Sequence, residues 1–296
     1  MSKTALLFPG QAAQFVGMGA HIYESEQKAK ELIQKANDIL GYDLLKIMVE
    51  GPMETLTQTI YTQPAVYVHS MAVYACRHQE VEVSAVAGHS LGEISACVAA
   101  GVMSYEDGLG LVDKRARAMQ AACEAHPSTM AAVLGMQDDQ VESICADIEG
   151  VVPANYNSPG QIVISGTKEG IDEAVVKCKE AGARRALVIA VGGAFHSPLM
   201  QSAQEELAAY IEGIDLSDAA LPIYHNVDAQ PNQDADKVKA HLISQVTSPV
   251  YWSTTLGRMI EDGHTTFIEV GGKGKILLGM LRKVSREVAS IQWQEE

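Results

Sequence analysis

The sequence is short of basic residues and of long apolar runs, and each shortage excludes something. Its 296 residues hold 22 Lys and Arg against 37 Asp and Glu, for a formal net charge of −15. Nucleic acid and anionic membranes are themselves negatively charged, so neither is expected as a partner. No apolar run approaches the roughly 18–20 residues that span a bilayer. The first residues also lack the apolar core of a signal peptide, so a membrane or secretory location is not expected.

Cysteine is also scarce. The five cysteines include no C-x-x-C pair, which argues against a disulfide framework or a zinc site. They are Cys76, Cys97, Cys123, Cys145 and Cys178. We therefore predict a cytoplasmic protein with reduced thiols, no bound metal and no cofactor. Apolar residues make up 47% of the chain, which is ample for a buried core and too much for a disordered chain.

Short apolar strands alternate with amphipathic helices along most of the chain. Residues 4–8 and 83–87 are predicted strands, and residues 24–40 and 106–123 have the apolar spacing of helices. This alternation predicts a mostly parallel sheet covered by helices on both faces. We predict an α/β fold whose large domain is similar to the α/β hydrolases.

The middle of the chain follows a different pattern. Residues 127–193 give the order strand, helix, strand, strand, helix, strand, which is typical of the ferredoxin-like split βαβ unit. Helices and strands alternate again afterwards. We therefore predict a large catalytic domain from residues 1–126 and 194–296, with a ferredoxin-like subdomain inserted at 127–193.

A candidate nucleophile lies in Gly88-His89-Ser90-Leu91-Gly92, which matches G-x-S-x-G. The pattern alone is weak, but here it follows an apolar strand and begins a helix, as a nucleophile elbow requires. The alternative is that Ser90 only caps the helix that follows it.

His196 is the candidate base among nine histidines. It follows an apolar strand and the break at Gly192-Gly193, at the strand end where α/β sheets collect their chemistry. The alternative is a cap on the next helix. No Asp or Glu stands out as the third member of a triad, so a backbone or amide carbonyl could hold the Nδ1 proton instead.

Arg115 lies on or beside the apolar face of helix 106–123, three residues after Val112 and four before Met119. A cation turned inward needs an anion. From the sequence alone we favour an internal carboxylate over a substrate carboxylate. The turn Phe8-Pro9-Gly10-Gln11 ends the first strand and suits an oxyanion-hole loop, or is an ordinary strand-ending turn.

These pieces occur together with further motifs spread over nearly the whole chain. They are Leu7-Phe8-Pro9-Gly10-Gln11, Thr62-Gln63-Pro64-Ala65, Gly88-His89-Ser90-Leu91-Gly92-Glu93, Asn157-Ser158-Pro159-Gly160-Gln161, Gly193-Ala194-Phe195-His196-Ser197 and Pro249-Val250. In this combination the chain resembles the malonyl-CoA:acyl carrier protein transacylases and the acyltransferase domains of fatty-acid and polyketide synthases.

The resemblance implies a role for each candidate. Ser90 would accept the acyl group and His196 would be its base, with the backbone N–H groups of Gln11 and Leu91 as the oxyanion hole. Arg115 would pair with the malonyl carboxylate, which reverses our preference for an internal partner. The main-chain carbonyl of Gln245 would orient the histidine and replace the missing acid.

The implied reaction is transfer of malonyl from malonyl-CoA to the phosphopantetheine thiol of an acyl carrier protein, through a malonyl-serine. It would supply fatty-acid synthesis, with polyketide synthesis as the alternative. Phe195, between Ala194 and His196, matches the pattern associated with malonyl rather than methylmalonyl. Two other readings stay open: a simple serine hydrolase, and a catalytically silent docking module.

Two motifs depart from the family pattern. Ala12 replaces the usual glycine after Gly10-Gln11, so the oxyanion loop is expected to be strained or shifted if that position has a positive φ. Gly271-Gly272-Lys273-Gly274-Lys275 replaces the usual Gly-Pro-Gly-Lys, and a different local shape is expected there. Residues 271–286 also hold five basic residues and no acid, which predicts either a docking face for the carrier protein or a solvated helix face.

Overall fold

The computed structural model describes residues 3–295, which form two sheets with helices packed around them. The strands are β1 (Lys3–Phe8), β2 (Ala85–Gly88), β3 (Ser128–Leu134), β4 (Val151–Ser158), β5 (Gln161–Thr167), β6 (Arg185–Ile189), β7 (Ile223–Tyr224), β8 (Pro231–Asn232), β9 (His264–Val270) and β10 (Ala289–Trp293). The helices are α1 (Ala20–Ser25), α2 (Gln27–Leu40), α3 (Leu44–Glu50), α4 (Met53–Leu56), α5 (Thr59–Arg77), α6 (Gly92–Ala99), α7 (Tyr105–Ala125), α8 (Asp138–Ala146), α9 (Lys168–Glu180), α10 (Gln201–Ile211), α11 (Ala235–Ser244), α12 (Trp252–Glu261) and α13 (Ile276–Val284).

The larger sheet has the strand order β10-β9-β1-β2-β7-β8 and is parallel except for the β7–β8 pair. Its central strands are buried on both faces, as a parallel sheet between helices must be. On β1, Leu6 and Phe8 join the core formed with α2, α5 and α7. Ala5 and Leu7 point the other way and join the core under α12 and α13. The carboxyl ends of β1 and β2 therefore meet at one edge.

The smaller sheet has the order β4-β5-β3-β6, and all of its pairs are antiparallel. One face packs against α8 and α9 through alternating residues such as Ala131, Val133 and Ile164. Met130 and Val163 point the other way and join the main core. The predicted α/β fold with a mostly parallel sheet and a ferredoxin-like unit is confirmed.

The two sheets are joined where β4 meets the segment before α12. Tyr156 donates its backbone N–H to the Val250 carbonyl (2.9 Å), and Val250 donates to Ala154 (2.8 Å). This junction fixes the smaller sheet over the carboxyl edge of β1 and β2. No helix in the described part of the chain is long and apolar enough to cross a membrane.

Several elements differ from the sequence prediction. The edge strand β10 and the short helices α1, α3 and α4 were not predicted from the pattern. Strand β7 has only two residues, because the chain after it turns toward Ser90, where Asn226 Oδ1 accepts from the Ser90 N–H. A one-turn 3-10 helix, Pro198–Met200, precedes α10.

Candidate active site

Ser90 lies on a sharp turn between β2 and α6, with a φ of +52°. A Cβ on Gly88 would lie 2.0 Å from the Gly92 carbonyl carbon, and one on Gly92 would lie 2.0 Å from the Phe8 oxygen. Only glycine fits at these two positions, so the elbow needs both. No side chain caps α6, which excludes the helix-cap alternative for Ser90.

The Ser90 hydroxyl points at the His196 ring, with 2.7 Å between Oγ and Nε2. The other ring nitrogen, Nδ1, lies 2.9 Å from the main-chain oxygen of Gln245. A carbonyl only accepts, so Nδ1 carries the proton and Nε2 is free to take one from Ser90. Ser197, not His196, caps the helical turn that follows, through its bond from the Leu199 N–H (3.3 Å).

His196 is 3% exposed, and its surroundings favour the neutral ring. Burial lowers the pKa of His196 to about 3, and the Arg115 charge acts in the same direction. The hydrogen bond to Gln245 opposes that shift only in part. The imidazole is therefore unprotonated at neutral pH, as a general base must be.

Arg115 projects from α7 into the same site and is 2% exposed. Its Nη2 donates to Ser90 Oγ and to Gln245 Oε1, both at 3.0 Å, and Nη1 donates to Gln63 Oε1 at 2.7 Å. Within residues 3–295, every hydrogen bond of this guanidinium goes to an uncharged acceptor. Burial lowers the pKa of Arg115 to about 10, against the opposing effect of Glu93, so it stays a cation at neutral pH.

Gln11 and Leu91 both line the cavity beside Ser90. Neither backbone N–H donates to a protein acceptor in the described chain. Two unpaired donors next to a nucleophile can hold an oxyanion. Ala12 adopts a φ of +83°, so the loop keeps a left-handed residue despite the missing glycine. Its N–H donates to Gln14 Oε1 at 2.8 Å.

Three buried side chains in the site were not singled out as candidates from the sequence. Gln63 accepts from Arg115, and Asn226 binds the Ser90 N–H through Oδ1 at 2.7 Å. Glu93 is fully buried on α6. A sequence pattern could have indicated Glu93, because an acid among the apolar residues of a short helix is buried and needs buried hydrogen-bond donors. Asn226 and Gln63 carry no comparable signal.

A cavity of about 210 Å³ opens above Ser90 between the two sheets. One wall carries Ser90 from the turn after β2, Arg115 from α7 and His196 from the segment between β6 and α10. The strand before His196 therefore belongs to the antiparallel sheet, not to the parallel sheet in which the sequence placed the chemistry. The facing wall comes largely from apolar residues of the smaller sheet, including Met130, Val163 and Ile189. All six predicted site residues thus meet here, because Gln245 lies behind His196 and Arg115.

A serine on a strained elbow, a neutral imidazole and two free N–H groups define an α/β enzyme that passes acyl groups through a serine. A model of the acyl transferase domain matches residues 5–290 of this chain. The chain belongs to the acyl transferase family.

Individual relatives agree along the whole length. The malonyl CoA-acyl carrier protein transacylase of Staphylococcus aureus strain MRSA252 is 41% identical, over 100% of this chain and 97% of that protein. The solved transacylase of that name from Coxiella burnetii has a TM-score of 0.94 at 36% identity, covering 99% of this chain and 94% of the other. A malonyl transacylase in complex with its type II polyketide acyl carrier protein has a TM-score of 0.93 at 34% identity, covering 99% and 96%.

Proposed function

We propose that this protein transfers malonyl from malonyl-CoA to the phosphopantetheine thiol of an acyl carrier protein. The observation that carries the proposal is a buried cation, Arg115, whose Nη2 lies 3.0 Å from the nucleophile Ser90. Its protein partners are uncharged, so an acyl group with its own carboxylate supplies the anion. In malonyl one methylene separates that carboxylate from the reacting carbonyl, which lets the two groups meet Arg115 and Ser90 together.

The first half-reaction forms malonyl-Ser90. His196 Nε2 takes the hydroxyl proton as Ser90 Oγ attacks the thioester carbonyl of malonyl-CoA. The backbone N–H groups of Gln11 and Leu91 stabilise the tetrahedral oxyanion, each worth about 2.7–4 kcal/mol in comparable holes. The carbon–sulfur bond then breaks, and the coenzyme A thiolate leaves with the proton from His196.

The second half-reaction runs the same steps in reverse with a new thiol. The pantetheine thiol of the carrier protein gives its proton to His196 and attacks the malonyl-Ser90 ester. The Ser90–acyl bond breaks and Ser90 Oγ regains its proton. The proposed steps need no metal and no cofactor bound to this chain, because both thiols belong to the substrates. The product would feed fatty-acid synthesis, with polyketide synthesis as the alternative.

We propose that residues 1–126 and 194–296 form the catalytic domain and that residues 127–193 form a subdomain closing the cavity. Carrier proteins are acidic, and the basic residues at 271–286 suit their docking. Lys273, Lys275 and Arg282 are exposed and make no ion pair in the described structure. By contrast, Lys114 and Arg117 are already paired with Glu206 (2.5 Å) and Asp113 (2.8 Å).

Docking is tested by charge reversal. Lys275→Glu with Arg282→Glu should raise the KM for carrier protein and leave the KM for malonyl-CoA unchanged. Lys28→Glu with Lys46→Glu, at exposed residues of α2 and α3, changes the net charge by the same amount and is the control. An equal rise in both KM values, or the same rise from the control, would reject this face.

The reaction itself is tested by weighing the carrier protein. Incubation with malonyl-CoA should add one malonyl mass to the carrier protein, with little addition from methylmalonyl- or acetyl-CoA. A hydrolase would release free malonate and leave the carrier unmodified, whereas a silent docking module would neither release malonate nor modify the carrier. Ser90→Ala should abolish both the transfer and the malonyl adduct on the enzyme, which would identify Ser90 as the residue that holds the acyl group.

A further inference from the structure

Glu93 is an acid with no assigned role, and it is fully buried behind the catalytic pair. It lies in the first turn of α6, where the helix dipole favours a negative charge. Its carboxylate lies 2.6 Å from His225 Nδ1, 2.6 Å from Gln245 Nε2 and 3.2 Å from the Asn226 backbone N–H. An amide NH₂ and a backbone N–H can only donate, so this site is built for a carboxylate.

Gln245 is held at three side-chain contacts as well as through its main chain. Its Nε2 donates to Glu93 and to the Ser90 carbonyl (3.0 Å), while Oε1 accepts from Arg115. The two ends of an amide differ only in their hydrogen-bonding role. Glu93 and the Ser90 carbonyl both take only the donor end, and the Glu93 contact is the shorter of the two (2.6 Å), so it favours the orientation that turns the acceptor end toward Arg115.

The same residue supplies the carbonyl that holds His196 (2.9 Å). Fixing the Gln245 side chain therefore fixes two reacting groups at once: the base and the cation beside the nucleophile. The Glu93 charge also favours the charged form of Arg115, opposing the burial that lowers its pKa.

We propose that Glu93 is a positioning residue, which sets the orientation of the Gln245 amide and through it aligns Arg115 and His196. The part that concerns Arg115 rests on the proposed malonyl transfer, whereas the part that concerns His196 holds for any chemistry at Ser90. Glu93 contacts neither substrate nor the reacting atoms.

The test is a double-mutant cycle in the full chain between Glu93→Gln and Gln245→Ala. Glu93→Gln keeps the shape but can present its own NH₂ group to Gln245 Nε2, so this residue no longer holds the Gln245 amide in one orientation. We expect malonyl transfer to fall about tenfold or more, because groups in one hydrogen-bond network typically interact with energies of this size. In the Gln245→Ala background the same change should cost less than about twofold, because the group it acts on is gone.

Two readouts separate this role from simple support of the fold. The malonyl-to-acetyl transfer ratio should fall in Glu93→Gln, and the rate of Ser90 labelling by a fluorophosphonate should fall with it. His225→Phe removes a donor to the same carboxylate without touching Gln245, so it should lower stability to urea yet keep the ratio within about twofold. Glu93→Asp, whose shorter side chain draws back from Gln245, replaces Glu93→Gln if that variant does not fold.

Equal losses from Glu93→Gln in both backgrounds would overturn the proposal, and so would an unchanged malonyl-to-acetyl ratio with normal labelling. If the native chain is labelled at Ser90 but transfers no malonyl, the proposed function fails by itself. The same double-mutant cycle, read by the rate of Ser90 labelling instead of malonyl transfer, then still decides whether Glu93 aligns His196.

Discussion

The two walls of the cavity are built from different kinds of sheet and contribute different things. The parallel sheet ends in a strained turn that supplies the nucleophile, α7 supplies the cation, and the segment that follows β6 supplies the base. The antiparallel sheet opposite supplies mainly apolar side chains such as Met130 and Ile189. The nucleophile Ser90 and the backbone donors of Gln11 and Leu91 thus lie at the carboxyl edge of the parallel strands β1 and β2, where helix N-termini and backbone donors collect. The second sheet shapes the space.

We call the wall with Ser90, His196 and Arg115 the polar wall, and the wall with Met130 and Ile189 the apolar wall. Substitutions on the polar wall should alter the reaction far more than substitutions on the apolar wall. The largest effect is expected at Arg115. Arg115→Ala removes the buried cation, and we expect malonyl transfer to fall by roughly 10²–10³-fold, the cost of an unpaired buried charge. Transfer of acetyl, which has no carboxylate, should rise relative to malonyl. Competition between the two CoA esters, read by the mass of the carrier protein, measures the ratio.

Arg117→Ala is the matched control, because it removes the same group two residues further along α7. That side chain lies half-exposed against Asp113 and points away from the cavity. It should change neither rate nor ratio. An unchanged malonyl-to-acetyl ratio in Arg115→Ala would remove the argument for a carboxylate-bearing acyl group.

The next prediction concerns the pH at which the polar wall stops working. His196 acts as a base only while unprotonated, and its pKa is lowered from 6.5 to about 3. Labelling of Ser90 by a fluorophosphonate should therefore persist well below pH 6.5. Arg115 contributes to that lowering, so Arg115→Ala should raise the pKa of His196 and move the acid limb to higher pH. Loss of labelling around pH 6.5 in the native protein would contradict this.

The same shift affects stability. Below pH 6.5 the unfolded chain binds a proton at His196 that the folded chain rejects down to about pH 3. The free energy of unfolding should therefore fall as pH drops through this window. Urea titrations between pH 7 and pH 4 measure it. Burial lowers the pKa of His89, His241 and His264 in the same direction, so the fall belongs to all four histidines.

The sequence could predict the parts of this site that rest on local pattern. Ser90 follows from glycine spacing after a strand, and Arg115 follows from helical spacing on α7. What brings Glu93 to Gln245 is a contact across 152 positions in the chain, and no local pattern records it. The carbonyl of Gln245 was likewise identified only by resemblance, since any residue has one. Strand β10 alternates apolar and polar residues, but over only five positions, and its apolar Ala289 and Ile291 are exposed, so the pattern does not indicate a buried face.

A smaller effect is expected where the walls meet, at Phe195. This ring is 6% exposed, lines the cavity and precedes the base in sequence. Phe195→Ala enlarges the space for the acyl group. A methyl group in an apolar pocket is worth about 1–3 kcal/mol, so methylmalonyl transfer should gain roughly tenfold relative to malonyl. Competition between the two CoA esters tests it, and an unchanged preference would show that Phe195 does not limit the acyl group.

The smallest effect is expected at Ala12, whose backbone is strained and whose side chain takes no part in the reaction. Ala12 has a φ of +83°, which costs an L-residue about 1–2 kcal/mol, and its methyl group is exposed. Glycine relieves the strain but loses about 0.5–1 kcal/mol through a freer unfolded chain. Ala12→Gly should therefore raise the free energy of unfolding by roughly 0.5–1 kcal/mol. Malonyl transfer should stay within about twofold, because the N–H of Gln11 keeps its place.

Ala209→Gly is the opposite case, because Ala209 is exposed in the regular helix α10. There glycine relieves nothing and should lower the unfolding free energy by about 0.5–1 kcal/mol. Urea denaturation of both variants against the native chain gives the two signs. If Ala12→Gly destabilises the protein as Ala209→Gly does, the left-handed residue carries no strain. If it also slows transfer, the Ala12 side chain restrains the loop that presents the oxyanion donor.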